Sequence, residues 1–227
     1  MMTNLFSTFD PVSSINISLN WISMLISFIM IPTSFWLIPS RYNTLFKIIY
    51  MKLHQEFKML LGTNNLGFSI IFISLFTFIL YNNMMGLLPY IFTSSSHLMF
   101  TMTLALPLWL SLMIFGWINY TQNMLAHLIP EGSPAALMPL MACIETISNI
   151  IRPSSLAVRL MANMIAGHLL MSLLGGSIMN MSSYMIPLIM MFQVILTLFE
   201  TAVSFIQAYV FSVLSTLYTA EVTYEIT

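Results

Sequence analysis

Two arginines lie inside the apolar stretch 145–168, and they are the first feature of the sequence that needs a chemical explanation. An arginine side chain stays protonated in proteins, and a charge near the middle of a bilayer costs at least about 2.5–3.5 kcal/mol. Arg159 lies near the middle of its apolar segment, so we expect it to have a partner or a function. Arg152 lies nearer the end of that segment, where a structural role, with its charged group reaching the membrane surface, is an equal alternative.

Polar side chains recur at helical spacing around these arginines. Glu145, Arg152 and Arg159 follow one another at intervals of seven residues, and Asn163 comes four residues after Arg159. At about 100° per residue, all four fall within one narrow sector of a helix. Further along the chain, a second set is also spaced by multiples of seven: Glu200, Gln207 and Glu221. The sequence therefore predicts two long helices that each carry a polar seam.

A hairpin would bring these two polar seams to matching depths. The midpoints of residues 145 and 221, of 159 and 207, and of 168 and 200 all fall at 183–184, beside a turn rich in Gly, Asn and Ser. An antiparallel pair of helices then places Arg159 level with Gln207. Two further pairs would lie on either side of this level: Glu145 with Glu221, and His168 with Glu200. We predict two separated sets of titratable groups with a permanent positive charge between them.

This arrangement suits proton transfer through a membrane. Carboxylates and imidazoles can take and release protons near neutral pH, and such groups within membranes often mark proton relays. An arginine cannot relay protons, so Arg159 would act as an electrostatic barrier and as the partner of a carboxylate. No acid of this chain is predicted at its level, so we expect that carboxylate on another subunit. Two alternatives stay open: Asn163 and Gln207 could be helix–helix hydrogen-bonding groups, and Glu145 and Glu221 could be solvated helix-end residues.

The composition indicates an all-α polytopic membrane protein. Hydrophobic residues make up 59% of the 227 positions and charged residues 6%, with a mean hydropathy of +0.92. A net charge of −1, with no basic or acidic run, gives no ground for nucleic-acid binding. The single Cys143 provides neither a disulfide framework nor a metal cluster, and no P-loop motif for ATP occurs. The first residues resemble neither a signal peptide nor a transit peptide, so either the chain is made in its own compartment or it inserts through its helices alone.

The chain is predicted to form one integral-membrane domain of six helical segments. Residues 41–60 form an amphipathic surface helix that holds four of the six Lys and Arg residues. The positive-inside rule places this helix on the inner side and the N-terminus outside. Transmembrane helices are predicted at 14–38, 68–88 and 98–118, followed by the two long tilted helices of the hairpin at 138–176 and 185–223. His54, His97 and His127 are expected to be surface residues.

In IRPSSLAVRLMANMIAGH and ETAVSFIQAYVFSVLSTLYTAE, the sequence resembles the subunit a family of F-type ATP synthases, particularly the mitochondrial form. The combination R-L-x-A-N-x-x-A-G-H with E-x-x-x-x-x-x-Q is unusual in membrane helices. The resemblance implies a non-catalytic subunit of the mitochondrial inner membrane, with no cofactor or metal, its N-terminus toward the intermembrane space and its C-terminus toward the matrix. Its partners would be the rotating c-ring, other membrane and peripheral-stalk stator subunits, and the lipid bilayer.

The resemblance also implies roles for the residues of the polar seams. Arg159 would be the stator arginine that faces the essential carboxylate of the c-ring, with Asn163 and Gln207 beside that contact. His168 and Glu200 would line a half-channel open to the intermembrane space, and Glu145 and Glu221 one open to the matrix. A proton would enter from the outer side, neutralise a c-ring carboxylate so that it can leave Arg159, and be released inward after nearly a full turn. The ATP chemistry would take place in other subunits.

Three other kinds of function explain the sequence less well. A haem-binding electron-transfer subunit needs paired histidines at mid-depth, and only His168 lies inside a predicted span. A proton-coupled carrier acting alone more often shows repeated halves, and it would need an acid partner for Arg159 within the chain. A purely structural subunit has no reason to align two titratable seams. Haem absorbance, and proton flux without a rotor ring, would discriminate among these functions.

Overall fold

The computed structural model describes residues 5–13, 17–32, 37–62, 67–129, 134, 137–178 and 182–224, without the side chains of 123, 127, 223 and 224. Within these ranges, all regular elements are helical. The α-helices are α1 (Ser23–Met30), α2 (Arg41–Leu61), α3 (Phe68–Gly86), α4 (Leu98–Asn119), α5 (Thr121–His127), α6 (Met138–Ile178) and α7 (Ile186–Tyr224). Short 3₁₀ helices lie at Leu5–Phe9, Leu19–Ile22 and Ser94–Ser96.

Four helices of the described chain are long and apolar enough to cross a bilayer: α3, α4, α6 and α7. Each begins and ends within two residues of a segment predicted from the sequence. The expectation of an all-α polytopic membrane protein is therefore confirmed.

The segment predicted as a first transmembrane helix, 14–38, contains a shorter helix. The 3₁₀ helix Leu19–Ile22 runs directly into α1, so the continuous apolar helix is Leu19–Met30. This helix is shorter than the roughly 20 residues that one crossing requires. Residues 14–16 and 33–36 of the predicted range lie outside the described residues, so a first crossing stays a prediction.

Helix α2 packs one apolar stripe into the protein and turns its basic residues outward. It begins after the N-cap Ser40, whose hydroxyl accepts a backbone hydrogen bond, and it ends at Gly62, where φ is +74°. His54 lies partly exposed on this helix. The buried residues are Leu53, Phe57 and Leu61, and the exposed basic residues are Arg41, Lys47, Lys52 and Lys58. This division is that of an amphipathic helix.

The hydrophobic core lies where α2, α3, α4, α6 and α7 meet. Helix α7 packs against α2, α3 and α6, and α4 packs against α6. Ala157 of α6 and Ala208 of α7 are both fully buried in this core. Small side chains at such positions let two helices approach closely. The two long helices thus run side by side as the predicted hairpin.

The loop between α3 and α4 is exposed at 88–90 and buried at 93–96. Ser94–Ser96 are at most 4% exposed and pack against α6. The His97 ring lies 5.2 Å from the Trp21 ring and 5.1 Å from the Phe92 ring, measured between centroids, and its Nε2 is buried. His97 as a whole is partly exposed, like His54, so the two aromatic rings cover only part of it. The side chain of His127 lies outside the described residues.

Candidate functional site

Arg159 lies on the exposed face of α6. Its guanidinium makes no hydrogen bond or ion pair with any residue that the structure describes. The exposed residues near it on the same helix face are small: Ser155, Ala162 and Ala166. Small neighbours leave room for a helix of another molecule to approach closely. The arginine is thus presented outward, and a partner for it on another subunit stays a prediction.

At the level of the α7 C-terminus, Arg152 binds two carboxylates. Its Nη1 donates a hydrogen bond to Glu221 Oε2 at 2.6 Å, and its Nη2 donates to Glu145 Oε1 at 3.3 Å. The guanidinium carbon also lies 5.5 Å from the centroid of the Tyr218 ring, within the range of a cation–π interaction. The hairpin therefore places Glu145 and Glu221 on one guanidinium. The sequence analysis missed this contact, although the seven-residue spacing from Glu145 to Arg152 was its signal.

Toward the other end of the hairpin, His168 and Glu200 are both shielded from solvent. Glu200 is 9% exposed, and both its carboxyl oxygens are buried without a hydrogen-bond partner among the described residues. Nε2 of His168 is buried in the same way. Burying polar atoms without partners costs free energy. The Glu200 carboxyl and the His168 imidazole therefore need hydrogen-bond partners, and the described part of the chain does not supply them.

The Glu200 carboxyl lies directly against the backbone of α6 at Gly167. A Cβ atom added to Gly167 would lie 2.6 Å from Cδ of Glu200 and 3.2 Å from its Cγ. Carbon atoms pack at about 3.5–4.0 Å, so a side chain at this position would collide with the carboxyl. Gly167, the residue directly before His168, thus leaves room for the Glu200 carboxyl against α6. The sequence analysis missed this role of Gly167, because only the three-dimensional contact reveals it.

A cavity of about 820 Å³ adjoins His168. Its walls combine the N-terminal segment, the loop after α3 and the facing ends of α6 and α7, with polar lining residues that include Asp10, Asn20, Ser172, Gln193 and Thr197. The Phe9 ring packs edge-on to the His168 imidazole, with 6.3 Å between centroids. Since a water molecule occupies about 30 Å³ in the liquid, this volume can hold many waters. The cavity is thus large enough for water to reach the side of the imidazole that faces it.

Asn163 and Gln207 lie partly buried on the two long helices. Neither amide makes a side-chain hydrogen bond to a described residue. Their expected place beside the Arg159 contact stays a prediction. No group of three or more metal-ligating side chains occurs in the part of the chain that the structure describes.

The arrangement has three parts along the hairpin. One end holds a buried carboxyl and imidazole next to a polar cavity. The other end holds two carboxylates on one guanidinium. Between them in the sequence of α6 stands the outward-facing Arg159. Such a chain can exchange protons at each end while a fixed positive charge separates the two ends.

Comparison with known proteins gives one consistent result. The family model described as ATP synthase A chain matches residues 17–220. A protein of Drosophila melanogaster named ATP synthase subunit a is 60% identical over 223 residues, which are 98% of this chain and 100% of the fly protein. Proteins of the same name from Aedes aegypti and Anopheles gambiae are each 57% identical over 225 residues, again covering 98% of this chain and 100% of their own length.

Proposed function

Because the chain belongs to the ATP synthase A chain family, we propose that it is the proton-translocating stator subunit of an ATP synthase membrane sector. It is a non-catalytic subunit, and the synthesis of ATP takes place elsewhere in the complex. Its place is the mitochondrial inner membrane, with the N-terminus toward the intermembrane space and the C-terminus toward the matrix. Its partners are the rotating c-ring and the other stator subunits.

The observation that carries this proposal is the unpaired, outward-facing Arg159. A charge at this depth without a counterion is costly, and no described residue of the chain supplies one. An ionised carboxylate of the c-ring satisfies this requirement. The small residues around Arg159 allow a ring helix to approach, with Asn163 and Gln207 as polar neighbours of the contact.

The outer half of the path runs through the cavity beside His168. Protons from the intermembrane space enter this polar volume, pass His168 and Glu200, and neutralise a c-ring carboxylate. Neutralisation removes the attraction to Arg159, so the carboxyl group can rotate into lipid. The burial of the Glu200 oxygens without protein partners supports a role in which they exchange protons or bind water.

The inner half of the path ends at Glu145 and Glu221. After nearly a full turn, the ring carboxyl group reaches this side and releases its proton toward the two acids. Arg159 blocks a direct passage between the two halves, because a guanidinium neither loses a proton nor tolerates another cation nearby. Each proton that crosses about 100 mV releases about 2.3 kcal/mol, so several protons are required for each ATP.

Substitution of Arg159 tests this function. In membranes with the assembled complex, Arg159→Ala should abolish both ATP synthesis and ATP-driven proton pumping, and Arg159→Lys should restore at most a small part. Arg41→Ala is the matched control, since Arg41 is an exposed arginine on α2 and belongs to neither long helix of the hairpin. Gln207→Ala should reduce both activities without abolishing them. Full coupling in the assembled Arg159→Ala complex would refute the proposed role.

A further inference from the structure

We propose that Arg152 is a positioning residue of the inner path, which holds Glu145 and Glu221 together as one proton-accepting unit with a net charge of −1. The proposal rests on the function proposed above and assigns a role to a residue whose purpose the sequence left open. Its basis is the contact of one guanidinium with acids from both long helices.

The geometry fixes the guanidinium from three directions. The 2.6 Å bond to Glu221 is a short, charge-assisted hydrogen bond across the hairpin. The 3.3 Å bond to Glu145 runs along α6. Tyr218, three residues before Glu221 on α7, presents its ring face at 5.5 Å. Through these contacts the guanidinium links α6 to α7.

The direction of the Arg152 side chain follows from helix geometry. Side chains on an α-helix lean toward its N-terminus, so Arg152 extends toward Glu145 and away from Arg159. Seven residues correspond to a rise of about 10.5 Å, which the long arginine and glutamate side chains together can span. The same seam therefore carries two arginines in different states: Arg152 is paired with two acids of the chain, and Arg159 is paired with no described residue.

The charge count explains why a positioning residue is needed. Glu145 and Glu221 bind the same guanidinium, and two carboxylates so placed would repel each other without a cation between them. With Arg152, the three groups sum to −1, which attracts a proton without forcing the acids apart. The side chains of Arg152 and Glu145 are 29% and 31% exposed, whereas that of Glu221 is 48% exposed. Glu221 is thus the acid more open to the inner aqueous side.

The test uses substitutions that change this charge in steps. Arg152→Gln leaves −2 and should lower proton-coupled ATP synthesis several-fold, whereas Arg152→Lys keeps −1 and should retain most of it. Glu221→Gln leaves 0 and should also lower the rate. The double variant Arg152→Gln/Glu221→Gln restores −1, so it should be more active than either single Gln variant. Assembly of the complex and ATP-driven pumping are measured beside the synthesis rate.

Every outcome decides the question. Wild-type activity in Arg152→Gln, or a double variant no more active than the single ones, would overturn the proposal. If Arg152→Gln alone fails to assemble, an assembled and active double variant still supports it, whereas failure of both would make Arg152 a purely structural tie. The double variant Glu145→Gln/Glu221→Gln tests the inner path separately. Full activity there would remove the path itself, and lost activity there with an inert Arg152→Gln would remove only the role of Arg152.

Discussion

Replacing Gly167 by alanine should displace the Glu200 carboxyl without replacing any titratable residue. The added Cβ would lie 2.6 Å from Glu200 Cδ, about 1 Å closer than carbon atoms pack. Overpacking costs about 1–3 kcal/mol, and the cost here should lie toward the lower end of this range, because the clashing atoms are the end of the flexible Glu200 side chain. Alanine in place of glycine in a helix interior gains about 0.8–1.0 kcal/mol. The net effect should be a destabilisation of about 0–2 kcal/mol, together with a displaced carboxyl.

Gly175→Ala on the same helix is the matched control. An added Cβ at Gly175 meets no atom within 4 Å, so this variant should show only the gain in helix propensity. The difference in stability between the two variants therefore isolates the overpacking, about 1–3 kcal/mol. The assay compares the thermal midpoint of the assembled complex and its rate of proton-coupled ATP synthesis. Gly167→Ala should lower the rate several-fold, and Gly175→Ala should not.

A second substitution makes the test specific to the carboxyl. Glu200→Asp withdraws the carboxyl by about one carbon–carbon bond, roughly 1.5 Å. Its carboxyl carbon would then lie near the present Cγ, which is 3.2 Å rather than 2.6 Å from the added Cβ, so most of the overlap is relieved. The double variant Gly167→Ala/Glu200→Asp should therefore be more active than Gly167→Ala alone. Equal midpoints and equal rates in Gly167→Ala and Gly175→Ala would refute the argument that the contact between Gly167 and Glu200 positions the carboxyl.

Two further predictions test the packing of α2 and the orientation of the chain. Phe57 is fully buried in the core, so Phe57→Ala should cost about 3–5 kcal/mol and lower the thermal midpoint of the complex. Met59, which is 75% exposed, is the control, and Met59→Ala should change stability by at most about 0.5 kcal/mol. Cys143 is an exposed thiol near the N-terminal end of α6, which the proposed orientation places on the matrix side. A membrane-impermeant maleimide should therefore label it from that side only, and not at all in Cys143→Ser. Labelling from the outer side would reverse the proposed orientation.

The helical fold could be predicted from the sequence because hydrophobic length and polar spacing are local properties. The bounds of α3, α4, α6 and α7 follow from runs of apolar residues ended by turn-forming ones. The hairpin follows from the symmetric positions of polar residues about the turn at 182–185. Contacts between distant segments have no such local signal. For this reason, two contacts could not be predicted from the sequence: that of Phe9 with His168, and that of Trp21 and Phe92 with His97.

The two arginines of α6 have the same spacing pattern but different surroundings. Arg152 and Arg159 share a residue type and, at an interval of seven, a face of the helix. What distinguishes them is the sequence of α7. It supplies the acid Glu221 to Arg152, whereas at the level predicted for Arg159, fourteen residues earlier, it has only the neutral amide Gln207. The chain thus supplies counterions to Arg152 and leaves Arg159 without one among the described residues. An exposed cation that its own chain does not neutralise favours binding to an anionic partner. In a ring of carboxylates, each group could bind the arginine while it is ionised and leave it once it is protonated.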